Sequence, residues 1–515
     1  DMSLLQHFLL KRHNHRIDEY GGSLENRLRL FREVIADTRD AVGDTCAIAV
    51  RLAVDELLGD EGLQHDGEAR EIIEALAEEP DLWDVNLSDW SNDSQTSRFS
   101  DEGFQEPFTG FVKSVTSKPV VGVGRYTSPD SMVRVIRQGL LDFIGAARPS
   151  IADPFLPNKI RHGHPEDIRE CIGCNICAAG DNTCVPMRCT QNPTIGEEWR
   201  RDWHPEIIPR LEKPESYLVV GGGPAGLEAA RALSQRGAEV ILAEAGDEWG
   251  GRVSRESRLP GLAAWARVRD WRMQQLQQRP NAELYLQSAL DTEEILSYGI
   301  ANIVIATGAV WRDDGVGRQH RQALTFLDKS RITGVERLLS KGSEAISADG
   351  PVVIFDDDRF YLASVLAELI AGAGFHTTFV TPAPLVAPWS ENTLEQSRIQ
   401  KRLLELDVRI LPSRSLAGMN KDTLTLACTY TGRQETIDCA SLVPVTSRLP
   451  SDTLWQELQD GRQRWRDAGI RSVRRIGDCY SPGLIASACH SGHLYAREAG
   501  EQQTRPVLRE DIARL

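Results

Sequence analysis

The sequence predicts an α/β protein: the C-terminal half of a (β/α)8 TIM barrel, a cysteine-rich segment, and two nested Rossmann-like units of the FAD/NAD(P)-binding type. Three observations lead there. Short apolar, β-branched runs alternate with helical periodicity before Ala147, five of the ten cysteines crowd between Cys171 and Cys189, and a strand–glycine–helix pattern begins at Tyr217.

The apolar runs are Ala47 to Leu52, Trp83 to Leu87, Pro119 to Val123 and Asp142 to Ala147, separated by helical stretches such as Asn26 to Val42 and Asp130 to Gln138. They read as buried parallel strands of βα units. Gly122-Val123-Gly124-Arg125 follows the third strand and Gly145-Ala146-Ala147-Arg148 the fourth. Small residues at Gly124 and Ala147 let backbone N–H groups approach an anion, and Arg125 and Arg148 add charge-assisted donors. Barrels commonly build a phosphate site from the loops after strands seven and eight. These four strands are therefore numbered five to eight, and strands one to four are expected upstream of Asp1, which makes the chain a fragment.

Next comes CIGCNICAAGDNTCVPMRC, Cys171 to Cys189. Cys171, Cys174 and Cys177 recur every third residue and a further cysteine follows a loop, the spacing by which three thiolates wrap one corner of a [4Fe-4S] cluster and a fourth closes it. Structural zinc is the competitor, but its sites favour paired C-x-x-C knuckles. Spacing alone leaves Cys184 and Cys189 both open as fourth ligand. The other cysteines are scattered, as in a reducing compartment.

From Tyr217, YLVVGGGPAGLEAARALSQRGAEVILAEA runs strand, Gly221-x-Gly223-x-x-Gly226, helix and a second strand ending at Glu244. The glycines allow the turn and close backbone approach, the helix N-terminus faces phosphates, and the carboxylate meets ribose hydroxyls. Glu244 selects a ribose without a 2′-phosphate. ANIVIATGA (Ala301 to Ala309) resembles the strand that recrosses such domains, and Gly477-Asp478 in RRIGDCY resembles the pair near a flavoprotein's cofactor. An insertion, PVVIFDDDRFYLASVLAELIAGAGFHTTFV, repeats strand, turn, helix and strand but has Asp356-Asp357-Asp358-Arg359 where phosphate-binding glycines belong. Carboxylates repel a pyrophosphate and their Cβ atoms block it, so this second nucleotide site is expected to be dead.

At 515 residues, 41% hydrophobic and 26% charged, the chain has the composition of a globular protein of about three domains. No apolar run approaches a bilayer span and no secretory signal opens the chain, so a cytoplasmic protein is expected. A formal charge of -16 argues against nucleic-acid or anionic-membrane partners.

The segments HNHRIDEYGGSLENRLRLF, GVGRYTSPDSM, ARPSIADPFLPNKI, CIGCNIC and RCTQNPTIGEEWRRDWHPE closely resemble the iron–sulfur flavoprotein branch of the old yellow enzyme family, with its trimethylamine, dimethylamine and histamine dehydrogenases and related N-demethylases. The resemblance implies FMN in the barrel, a [4Fe-4S] cluster, ADP (or FAD) at Gly221 to Gly226, a homodimer, and electron-transfer flavoprotein as acceptor. It selects Cys189, followed by TQN, as fourth ligand and leaves Cys184 without a role. It implies that Arg51 faces the flavin's N1–O2 edge, that Asp93 sits beside the substrate amine, and that Trp90 walls an alkylammonium by cation–π contact. The family's catalytic tyrosine and histidine are expected at or just before residue 1. Where trimethylamine dehydrogenase has an aromatic after the third cluster cysteine, this chain has Ala178 to Asn182 without one, which suggests a larger or polar-tailed amine such as dimethylglycine, another betaine-derived amine or histamine.

The expected organisation is a partial barrel for FMN and substrate over 1–160, a [4Fe-4S] segment and linker over 161–213, a dinucleotide-binding domain over 214–339 and 442–515, and the degenerate insertion over 340–441. The expected reaction is oxidation of a small secondary or tertiary amine. An NAD(P)H-dependent enoate or dienoyl-CoA reductase is the alternative enzyme. A gene fragment or electron-relay subunit is the non-enzymatic one.

Overall fold

The computed structural model describes residues 3–199, 206–347 and 349–500. Part of the expected linker from His204 to Glu215 and the 501–515 end of the expected dinucleotide domain lie outside the described residues.

The first unit is a parallel sheet in the order β1 (Ala49–Asp55), β2 (Leu82–Leu87), β3 (Val120–Gly122), β4 (Phe143–Ile144). The chain runs each strand into a helix or short helical turns, the βα repeat of a (β/α)8 barrel. The helix Glu68–Leu76 buries Ala69, Ile72, Ile73 and Leu76, the i, i+3, i+4, i+7 stripe that seats a helix on a sheet. Trp83 and Val85 of β2, both fully buried, belong to the same core cluster. The helix Leu24–Val42 is fixed at its start by Ser23, whose hydroxyl accepts from the Asn26 N–H.

A five-stranded parallel sheet follows, ordered β18-β8-β5-β6-β7, from β5 (Ser216–Val220), β6 (Glu239–Ala243), β7 (Ala282–Tyr285), β8 (Asn302–Ile305) and β18 (Ser472–Arg475). The helix Pro224–Gln235 packs on it and against the helix Ile485–Glu498. Between β8 and β18 the chain leaves on β9 (Ala309–Trp311) and returns on β17 (Arg448–Pro450), which pair antiparallel with Val310 opposite Leu449.

The excursion holds β10 (Val352–Asp356), β11 (Thr377–Val380), β12 (Arg409–Leu411), an antiparallel sheet of β13 (Arg414–Met419), β14 (Thr423–Cys428) and β15 (Gln434–Asp438), and β16 (Ser441–Val445). Here the expected boundaries need correction. β16 pairs along its length with β10, so the residues from 442 to 445 belong to the inserted unit and not to the dinucleotide domain. Ile332 forms a parallel bridge with Leu442 of β16, and the Thr333 N–H donates to the Leu442 carbonyl at 2.9 Å, so the unit also begins before residue 340. A fully buried strand such as SLVPV reads alike in either sheet, and its partner is settled only by packing. One buried cluster takes in Val352 and Ile354 of this unit, Ile172 from the cysteine segment and Val253 and Trp265 from the dinucleotide domain, which fixes these units to one another. Among the described residues no helix is long and apolar enough to cross a membrane.

Candidate functional site

The C-terminal ends of the barrel strands open into a cavity of ≈ 390 Å³ whose wall includes Arg51, Trp90, Asp93, Gly124, Arg125, Ala147 and Arg148. All seven barrel residues singled out from the sequence meet there. Arg51 was expected to present a fixed cation to a flavin. It is half exposed, and its guanidinium lies 3.0 Å from Asp84 and 3.4 Å from Asp93. Burial raises the Asp84 carboxyl above its ordinary range, and Asp84 Oδ1 has no partner among the described residues. Asp93 ends the short helix Trp90–Asp93, whose first turn is fixed by the Asp89 carboxylate accepting from the Asn92 N–H. Gln105 Nε2 donates to Asp93 Oδ1 at 2.8 Å, which aims the carboxylate. Trp90 is 38% exposed, a cavity wall and not a core residue.

Arg125 sits at φ 57° on the tight turn after β3, and its buried guanidinium donates to the Ser100 carbonyl at 2.6 Å. Its Nε has no partner among the described residues. Arg148 donates to the Ser94 and Gln95 carbonyls and, at 2.7 Å, to Asn175 Oδ1. Both arginines were expected to be donors to an anion; part of their capacity instead clamps the loop after β2, and Arg148 ties that loop to the cysteine segment. Ala147 and Arg148 open a short helix whose first N–H groups have no intrahelical acceptor.

Cys177, Ala178 and Asp181 complete the cavity wall. The barrel cavity and the cysteine segment thus share one surface. Asp181 and Gln105 carry no motif and are invisible to sequence spacing.

Cys171, Cys174, Cys177 and Cys189 converge. Burial, with the neighbouring Cys189 and Cys171, pushes the Cys177 thiol up to about 12, and burial also raises Cys174 and Cys189. Cys184 lies exposed. A tetrahedral zinc with bonds of about 2.3 Å holds its sulfurs about 3.8 Å apart. Among the described residues the only trio of ligand atoms within 4.8 Å of one another is His164, Glu166 and Asp167, so the four sulfurs stand wider than one zinc holds them. The Gly173 N–H donates to Cys171 Sγ at 3.4 Å, and Thr190 Oγ1 lies 3.2 Å from Cys174 Sγ. One buried and three half-buried thiols with such contacts fit an iron–sulfur cluster better than a single ion.

The second cavity, ≈ 810 Å³, is lined by Gly221, Gly223, Glu244 and Asp478. A Cβ on Gly226 would meet the Gly221 carbonyl oxygen at 1.9 Å, and one on Gly477 the Ala225 Cβ at 2.5 Å, so these two glycines serve close packing behind the cavity. Glu244 lines this cavity and accepts from the Gly222 N–H at 2.6 Å and the Gly246 N–H at 2.8 Å. Asp478 accepts from Arg252 at 3.1 Å, from Arg448 and from the Gly483 N–H at 2.9 Å. Its carboxylate is taken up by two cations, leaving little for a ribityl chain.

In the inserted unit Asp356 and Asp357 are fully buried. The Asp357 and Asp358 N–H groups both donate to the Val445 carbonyl, at 2.8 and 3.1 Å. A phosphate there would find its backbone donors already engaged.

A flavin-dependent oxidoreductase of the α/β class is the protein that this fold and these cavities define. Residues 3–167 match the NADH:flavin oxidoreductase / NADH oxidase family, whose flavin is FMN, and residues 219–287 an NAD(P)-binding Rossmann-like domain. The chain belongs to the NADH:flavin oxidoreductase / NADH oxidase family. It is 38% identical to dimethylamine dehydrogenase of Hyphomicrobium sp. (strain x) over 97% of its length and 72% of that protein's. Among solved structures, histamine dehydrogenase from Rhizobium sp. 4-9 superposes with a TM-score of 0.94 at 47% identity, covering 99% of this chain and 73% of that one. The 6-hydroxypseudooxynicotine amine oxidase from Pseudomonas geniculata N1 gives 0.92 at 48%, covering 97% and 74%. The chain is a flavin oxidoreductase related to amine dehydrogenases.

Proposed function

We propose that this protein is an amine dehydrogenase that takes an amine bearing a second cationic or hydrogen-bond-donating group, of which histamine is the type. The observation that carries the reading is the presence of two carboxylates in the barrel cavity. Asp93 and Asp181 both line it, one held by Gln105 and the other on the cysteine segment. One carboxylate receives the reacting ammonium and the other the distal donor, while Trp90 packs its face on the cation. Of the three arginines in the same wall, Arg51 pairs with Asp93 while Arg125 and Arg148 donate to protein carbonyls, so the carboxylate end of a zwitterion such as dimethylglycine meets like-charge repulsion at Asp181, a narrowing of the expectation drawn from the sequence.

FMN bound in the cavity would accept the two electrons of C–N oxidation, and a [4Fe-4S] cluster on Cys171, Cys174, Cys177 and Cys189 would pass them on singly. The phosphate would meet the backbone at Gly124, Arg125, Ala147 and Arg148. Arg51, tethered to Asp84 and Asp93, supplies positive charge at the rim of the same cavity. The Gly221 to Gly226 cavity would hold ADP in preference to FAD, since Asp478 is already engaged by Arg252 and Arg448. The acceptor, by family resemblance, is an electron-transfer flavoprotein, and the assembly a homodimer.

The test is anaerobic. The intact polypeptide is mixed with histamine, a diamine, dimethylamine and dimethylglycine, with ferricenium as acceptor, and flavin bleaching is followed. Bleaching by histamine or the diamine, with dimethylglycine inert, is expected. Bleaching by dimethylglycine alone defeats the substrate reading, and bleaching by NAD(P)H with no response to any amine replaces it with the reductase.

A further inference from the structure

The helix that carries the glycine-rich turn, Pro224–Gln235, is connected to the cysteine segment through a single fully buried arginine. Arg272 and Glu228 are each 0% exposed, and Arg272 Nε donates to Glu228 Oε2 at 2.8 Å. The rest of the guanidinium turns to Gln191, two residues beyond Cys189: Nη2 donates to the Gln191 carbonyl at 3.0 Å and Nη1 to Gln191 Oε1 at 3.2 Å. A fully buried guanidinium is thereby fixed by two hydrogen bonds to a residue only two positions from Cys189.

Gln191 is held on its other side as well, its Nε2 donating to the Glu170 carbonyl at 3.0 Å. Glu228 also accepts from Arg231 at 2.6 Å and faces His493 Nδ1 at 3.1 Å. Two arginines against one carboxylate leave this buried group with a net cation, and burial holds His493 toward its neutral form. Nothing in amine oxidation or nucleotide contact uses this network, and a buried ion group with no other task calls for one.

We propose that Arg272 sets the reduction potential of the cluster through the Gln191–Asn192 peptide and Cys189, with Glu228 as its counterweight. This inference rests on the cluster assigned above. Reduction adds one electron and one negative charge to a buried centre. A fixed buried cation bonded to the residue two positions beyond a cluster ligand stabilises that charge, and the carbonyl it polarises carries its field toward the ligand loop. Arg272 is a positioning residue that acts through the peptide and not by touching the cluster.

Potentiometric titration of the intact holoprotein, read by the electron paramagnetic resonance of the reduced cluster, tests it. Arg272→Gln should make the cluster at least tenfold harder to reduce, a fall of 59 mV for a one-electron couple. Glu228→Gln should move the potential upward, and Arg272→Lys, which keeps the charge, should stay nearer the parent. A purely structural role would lower cluster content and leave the potential of the retained clusters alone. Unmoved potentials in Arg272→Gln or Glu228→Gln with full iron and sulfide overturn the inference, as do shifts of the same sign. If Arg272→Gln does not fold, the upward shift in Glu228→Gln decides. A parent protein without iron and sulfide would instead remove the cluster reading, so the two failures are separable.

Discussion

Arg51 and Asp93 approach to 3.4 Å across the barrel cavity, and Asp84 closes on the same guanidinium from the other side at 3.0 Å. One arginine therefore serves two carboxylates, of which only Asp93 is also held by Gln105. Removing the cation frees both. Arg51→Met is expected to lower kcat by one to two orders of magnitude, on the scale of a lost charge stabiliser at a reacting centre, and to weaken flavin retention. Steady-state rates with flavin occupancy measured in parallel separate the two effects.

Asp181 is expected to act on binding and Asp93 on both binding and turnover. Asp181→Asn should raise KM for histamine or a diamine about two- to fivefold, the weight of one exposed charge contact of about 0.4–1 kcal/mol, with little change in kcat. An equal loss for a simple monoamine would show that Asp181 does not read the distal group.

Cys189→Ser should lose the cluster, seen as loss of iron, sulfide and visible absorbance, while Cys184→Ser should keep it. Retention of four irons in the Cys189 variant would move the fourth ligand elsewhere.

Gly226→Ala places a Cβ 1.9 Å from the Gly221 oxygen. Overpacking of this kind costs about 1–3 kcal/mol, and here it also displaces the turn that lines the nucleotide cavity. Loss of co-purifying adenine nucleotide and a lower Tm are expected together.

Burial raises the Asp356 carboxyl well above the carboxylate range, and its Oδ2 has no partner among the described residues. A raised folded value means that the native state holds a proton the unfolded chain gives up near pH 3.9. The cost of burying this group is absent below that point and grows as pH rises toward the folded value. Asp356→Asn keeps an acceptor for the Arg359 N–H and removes the titration. Its Tm should exceed the parent's at pH 7 by the equivalent of about 1 kcal/mol or more, and the gain should shrink toward pH 4; a constant difference would show that Asp356 is not titrating.

Much of this was legible in the chain itself. The four barrel strands, the glycine turn and the cysteine spacing are local patterns, each imposed by geometry over a few residues, and the strand and helix positions follow them closely. The destination of β16 was not, because SLVPV carries no mark of which sheet it joins. Asp181 was unreadable for another reason: its importance lies in a cavity formed with residues from three other loops. The Arg272–Glu228 pair looks in sequence like an ordinary charged helix face, and only burial by two neighbouring segments distinguishes it. Arg148 shows the converse, a residue placed correctly at the cavity whose donors turn partly to protein carbonyls.

The pairing of β9 with β17 bears on how the inserted unit is attached. Entry and exit form one ribbon and not two separate tethers, so a displacement of the unit is shared by both strands at once. Val310 and Leu449, directly opposite on that ribbon, also wall the nucleotide cavity. Whatever leans on the inserted unit from outside is thereby felt first at the rim of that cavity, and an occupant of the cavity braces the ribbon in return.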